Sequence, residues 1–179
     1  MFLRQSRRDN GRLIIERLYG AIVTQARLPF FYEAFAVPDT VEGRFDLIVL
    51  HVHLLFRRLA REDAATRAIG QQVFDLFFDD MDANLRELGV GDLAVPRRVR
   101  AMGEAFYGRA GAYDAALAEP GDAALIAALH RNVYGGVAGK ETATLHLAGY
   151  VRRADAVLDT QDAASLRRGE LVFARPEEA

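Results

Sequence analysis

FDLFFDDMDANLRELGVGDLAVPRRVRAMGEAFYGRAGAY, residues 74–113, holds two helical patterns joined by a glycine-rich turn, LGVGD. The first pattern belongs to a helix over about 66–88. Val73, Phe74, Phe77, Phe78, Met81, Leu85 and Leu88 fall on one broad apolar arc. At ~100° per residue, Asp75, Asp79, Asp82 and Arg86 form a stripe on the far side. Gly89 suits the residue that ends this helix, and Pro96 suits the first turn of the next. That second helix, about 96–118, places Val99, Met102, Phe106, Ala110, Tyr113 and Leu117 together. It also carries Gly103, Gly108 and Gly111, each costing about 1 kcal/mol relative to alanine. Close approach of a neighbouring backbone is the expected compensation.

The same reading extends outward. Helices are expected over about 8–27, in a short piece from Pro29, and over about 40–60, 122–133 and 141–159. Asp39 or Thr40 should cap the 40–60 helix. Its core, FDLIVLHVHLLF at 45–56, is apolar nearly all round. Such a helix is either central to a bundle or leaves one face to an apolar partner. Strand alternation is lacking, although LVFA at 171–174 suits a short extended piece. The expected fold is all-α: a single-domain irregular bundle of about seven helices over 1–160, with a C-terminal tail, 161–179, open to partial disorder.

Composition narrows the function classes. The 179 residues are 51% hydrophobic and 27% charged, a globular balance with enough chain for a real core. A net charge of −2 gives no general case for nucleic-acid binding, and DNA is not an expected partner. Cysteine is absent, so disulfides and thiolate metal sites are excluded. The N-terminal MFLRQSRRDNGRL has no apolar core for secretion, and 45–56 is too short to span a bilayer. A cytoplasmic protein is expected, with peripheral contact at the inner face of the membrane left open.

The candidate site residues are polar or apolar groups near that helical pair. Asp80 projects to the edge of the apolar arc, where a carboxylate wants an arginine: Arg97, Arg98, Arg100 or Arg109. Arg97, Arg98 and Arg100 begin a helix, against its dipole, which suits contact with something anionic. Arg57, Arg58 and Arg61 end one and need no such explanation. Another basic group, Arg4, Arg7, Arg8 and Arg12, suits an adaptor at a membrane surface. Asp75, Asp79, Asp80 and Asp82 could in principle hold Mg²⁺ for an all-helical enzyme acting on a diphosphate, but a solvated stripe is the simpler reading. His51 and His53, two apart on a helix, point away from each other and cannot share a metal. GGVAGKE at 135–141 departs from a phosphate loop in spacing and in Glu141. No catalytic constellation, metal site or cofactor is expected.

Residues 19–59 and 74–113 together resemble the ubiquinol–cytochrome c chaperone family. VPDTVEGRFD, the DMD…LRELGVGDL turn and AFYGRAGAY carry the resemblance through their order and spacing. It implies a bacterial-type, non-enzymatic assembly factor for the cytochrome bc1 complex. The implied partners are newly made cytochrome b and, as in mitochondrial relatives, a ribosome or small partner protein. The expected binding surface is an apolar groove between the 40–60, 66–88 and 96–118 helices. Asp80, Arg97, Arg98, Arg100, Met102, Phe106, Tyr107 and Arg109 are expected near it.

Overall fold

The computed structural model describes residues 2–178, with side chains described for 10–177. The helices are α1 (Phe2–Ala26), α2 (Pro29–Glu33), α3 (Val41–Leu59), α4 (Ala64–Glu87), α5 (Val95–Ala118), α6 (Ala123–Val133), α7 (Glu141–Thr160) and α8 (Ala163–Arg167). A 3-10 turn, Pro176–Glu178, follows. Local chemistry sets the ends. Thr40 Oγ1 accepts from Gly43 N at 3.1 Å and starts α3. Asp63 Oδ1 accepts from Thr66 N at 2.7 Å, so α4 begins two residues earlier than its apolar pattern suggests. Gly89, with φ of 81°, closes α4 while Val90 N bonds Leu85 O at 3.0 Å and Gly89 N bonds Arg86 O at 3.0 Å.

α3 is the central helix, packed against α1, α4, α5, α6 and α7. Leu47, Val49, Leu50, Val52, Leu54 and Leu55 are all fully buried, on both of its apolar sides. That resolves its two-faced pattern in favour of a core helix over most of its length. Among its apolar residues, Phe45 and Phe56 near its ends keep partial exposure, and Val41 at its start is exposed.

The two histidines inside α3 differ: His51 is fully hydrogen-bonded, whereas His53 Nε2 is buried without a hydrogen-bond partner among the described residues. His51 Nδ1 lies 2.7 Å from Leu47 O, and a carbonyl only accepts, so Nδ1 carries the proton. Nε2 therefore accepts from the Tyr150 hydroxyl at 2.6 Å. Tyr150 accepts in turn from Gln25 Nε2 at 3.1 Å, and the same amide donates to Ala174 O at 3.0 Å. One network thus ties α1, α3, α7 and the C-terminal segment. His53 Nε2 instead lies 3.7 Å from Asp114 of α5.

The segment after α7 packs on the same core. Leu166 is fully buried, and Phe173 meets the His51 ring edge-on at 5.0 Å between centroids. Gln161 brackets Val172, donating to its carbonyl at 2.6 Å and accepting from its N–H at 3.0 Å. Residues 171–174 run without regular structure, as a short non-helical piece.

The α5 glycines do not have the role expected of them. A Cβ on Gly108 or Gly111 would meet nothing within 4 Å, and one on Gly103 would meet only the Phe78 ring, at 3.7 Å. No backbone approaches them closely; the space over Gly108 and Gly111 is open.

Candidate functional site

Because α3 spends its middle on the core, its two ends shape the surface it shares with α4 and α5. At the first end lies a groove of about 410 Å³, floored by Phe45, Ile48, Met81, Leu85 and Met102. Val41 and Leu88 stand at its edges, 58% and 63% exposed, among Arg27, Arg44 and Glu87. Phe45 is held from behind. It stacks on Phe77 at 5.9 Å, and the Arg109 guanidinium lies 5.9 Å from its ring centre. Arg109 Nη2 is also 2.8 Å from Asp46 Oδ1, which sits in the core. Burial pushes the Asp46 carboxyl up to about 6, against the pull of Arg109.

At the other end, Tyr107 stands 66% exposed as a ridge between two shallow troughs. The troughs, about 320 and 440 Å³, share Phe56, Ala60, Phe106 and Tyr107. Tyr107 packs on Phe74 at 5.8 Å and on Phe106 at 5.6 Å. Arg57 closes one edge by bridging Asp114 at 3.1 Å and Asp155 at 3.0 Å, while Arg61 pairs with Asp159.

The expected residues are therefore divided. Met102 lines the first groove, and Phe106 and Tyr107 line the second. Arg109 buttresses the first from inside. Asp80 departs from the expectation: its partner is none of the arginines but Tyr19 of α1, whose hydroxyl donates to Oδ2 at 2.7 Å. The side chain points away from α5 because position 80 lies on the α1 flank of α4. Burial raises the Tyr19 hydroxyl, and the Asp80 bond adds to it. Arg97, Arg98 and Arg100 are exposed at the start of α5, and only Arg100 has an ion-pair partner among the described residues, Glu104 at 3.1 Å. Of the N-terminal basic group, the Arg4, Arg7 and Arg8 side chains lie outside the described residues, and Arg12 pairs with Glu16 at 2.8 Å.

The acidic stripe is dispersed. Asp75 accepts from Gln71 at 2.7 Å, Asp82 from Arg86 at 2.5 Å, and Asp80 faces α1. Among the described residues, no three His, Asp or Glu side chains gather as metal ligands. Sequence reasoning missed the Asp46–Arg109 pair and the His51–Tyr150 bond. The available signal was an acid or histidine inside an apolar run, which demands a partner but does not name it.

Known proteins resemble this chain in sequence and fold. The model of the ubiquinol-cytochrome C chaperone family matches residues 33–173. Ubiquinol-cytochrome-c reductase complex assembly factor 1 of Xenopus laevis is 27% identical over 158 residues, covering 88% of this chain and 78% of that protein. The crystal structure of the Cbp3 homolog from Brucella abortus matches with a TM-score of 0.88 at 37% identity, over 99% of each chain. The family match runs from the end of α2 to Phe173 in the non-helical segment after α8, and this chain belongs to the ubiquinol-cytochrome C chaperone family.

Proposed function

We propose that this chain is a non-enzymatic assembly chaperone for the cytochrome bc1 complex that binds newly made cytochrome b. Family membership supports the assembly role. The observation that carries the binding mode is the groove of Phe45, Ile48, Met81, Leu85 and Met102, with Val41 and Leu88 exposed at its edges. An unassembled membrane protein presents apolar helices that need cover before they find their neighbours. Two unbranched methionines adapt to irregular apolar surfaces, and a rim of Arg27, Arg44 and Glu87 keeps the empty groove wetted at its borders. Contacts with a ribosome or a small partner protein belong to the same reading, as does peripheral contact with the inner face of the cytoplasmic membrane. Among the described residues, no helix is long and apolar enough to cross a membrane.

The test is co-purification from gently solubilised source cells, quantified for cytochrome b by mass spectrometry. Val41→Asp with Leu88→Asp is the informative variant, because both side chains are already exposed and the fold should survive. Cytochrome b should be enriched with the wild type and fall about tenfold or more with the variant, the scale expected when exposed apolar anchors become charged. Equal recovery from a folded variant removes the groove from the proposal; no cytochrome b with either chain removes the client.

A further inference from the structure

We infer that the α4–α5 turn is a docking element for an anionic lipid surface, with Leu93 as the inserting side chain and Arg97 and Arg98 as the headgroup contacts. Leu93 is 99% exposed, and Leu88, five residues before it, is 63% exposed. Single exposed leucines are ordinary, but these two share one turn with half-buried Val90 between them. The turn is pinned rather than slack. Gly91 O accepts from Ala94 N at 2.8 Å and from Val95 N at 3.2 Å, and Arg86 holds Asp92 at 2.5 Å. Leu93 is thus presented to solvent by a fixed backbone.

The charges around the turn say what covers it. Residues 86–100 carry four arginines against two carboxylates, in a chain whose net charge is −2. Arg86 is occupied by Asp82 and Asp92, and Arg100 by Glu104. Arg97 and Arg98 have no ion-pair partner among the described residues, and they sit at a helix start where the dipole disfavours cations. Free guanidinium groups beside an exposed apolar tip match the two parts of an interface, phosphate headgroups and the acyl boundary. A nucleic acid would use the arginines but leave Leu88 and Leu93 in water, and the turn has no aromatic side chain on which a base could stack. Leu88 also stands at the edge of the groove proposed for the client. Docking through this turn therefore brings the mouth of that groove to the bilayer, where apolar helices emerge.

This inference rests on the peripheral contact proposed above, and flotation of the purified full chain separates the two. Vesicles of phosphatidylcholine with phosphatidylglycerol are compared with phosphatidylcholine alone, at low and high salt. The wild type should float with the anionic vesicles, and high salt should release most of it. Leu93→Asp, at a side chain that touches almost nothing, should reduce binding at least about fivefold. Arg97→Glu with Arg98→Glu, a change the α5 dipole tolerates, should reduce it roughly 25-fold, from about fivefold for each arginine near an anionic surface. Wild-type flotation with both variants unaffected overturns the assignment to this turn and leaves a membrane contact elsewhere. No flotation of the wild type overturns the membrane contact itself while leaving cytochrome b capture to be decided by co-purification. Binding to polyuridylate without binding to vesicles reassigns Arg97 and Arg98 to nucleic acid and overturns the lipid assignment.

Discussion

Arg109 of α5 reaches back across the Phe45 ring to lie 2.8 Å from the buried carboxylate of Asp46 on α3. The arginine head retains a quarter of its exposure while the aspartate has almost none. This asymmetry decides the energetics. Desolvation of Asp46 outweighs the attraction, so its carboxyl sits near 6 instead of its ordinary 3.8. Glu42, one turn earlier on α3, pushes in the same direction.

A raised carboxyl in the native state makes folding bind a proton between about pH 4 and 6. Asp46 therefore favours folding most at low pH, and that contribution is lost as pH rises through 6, by on the order of 2–3 kcal/mol. Asp46→Asn should be more stable than the wild type at pH 7 and gain little at pH 4. Urea unfolding at the two pH values measures this. A variant less stable at pH 7 than at pH 4, relative to the wild type, would show that the ion pair wins over desolvation.

His51 works in the opposite sense. Complete burial holds its imidazole down near 4, well below 6.5. The unfolded chain takes up the proton first, so the stability that His51 supports at neutral pH is lost as pH falls from about 6.5 to 4, on the order of 3 kcal/mol. The two residues nearly offset each other in the wild type. His51→Gln should leave a chain whose stability rises on acidification over that window, and Asp46→Asn one whose stability falls more steeply. Tyr150→Phe should cost about 1–3 kcal/mol at pH 7, because it strands a buried ring nitrogen. Parallel pH profiles for all three chains would mean that neither group titrates differently on folding.

Periodicity carried the helices as far as α7 and left α3 either central or partner-facing, because 3.6-residue spacing is a local property. Pairing across the bundle is not local. Asp80 and Tyr19 are 61 positions apart, and with 22 arginines in the chain nothing along it distinguishes the partner of one carboxylate from the rest. Phe106 and Tyr107 show the same limit at the candidate site. They are adjacent on α5, about 100° apart around it, yet one is 2% exposed and the other 66%. How far each of them reaches into the groove depends on how α5 rolls against Phe56 and Phe74, a property of the assembled bundle. The family resemblance supplied the function class, and geometry supplied the two grooves.

Glycine substitutions should separate close packing from open space. A Cβ on Gly43 would run into the Pro38 carbonyl oxygen, in the loop that leads into the Thr40 cap. Gly43→Ala should destabilise by about 2 kcal/mol or more, as overpacking against backbone does. Gly108→Ala meets nothing and should stabilise α5 by about 1 kcal/mol. Thermal melts of both variants test this, and a Gly108→Ala chain that melts below the wild type would mean the surface there is not open.

Phe173 offers the sharpest check on the segment after α7. Its ring closes over His51 and is 8% exposed, and its neighbour Ala174 accepts from Gln25 of α1. Phe173→Ala removes an edge of the core contributed by a non-helical segment, at a cost of about 3 kcal/mol. Exposing His51 to water should also return its imidazole toward 6.5, so the variant should lose less stability than the wild type as pH falls from about 6.5 to 4. A merely loosened tail would lower stability without that change in slope. A freely solvated tail would do neither, and Phe173→Ala would then unfold with the wild type at every pH.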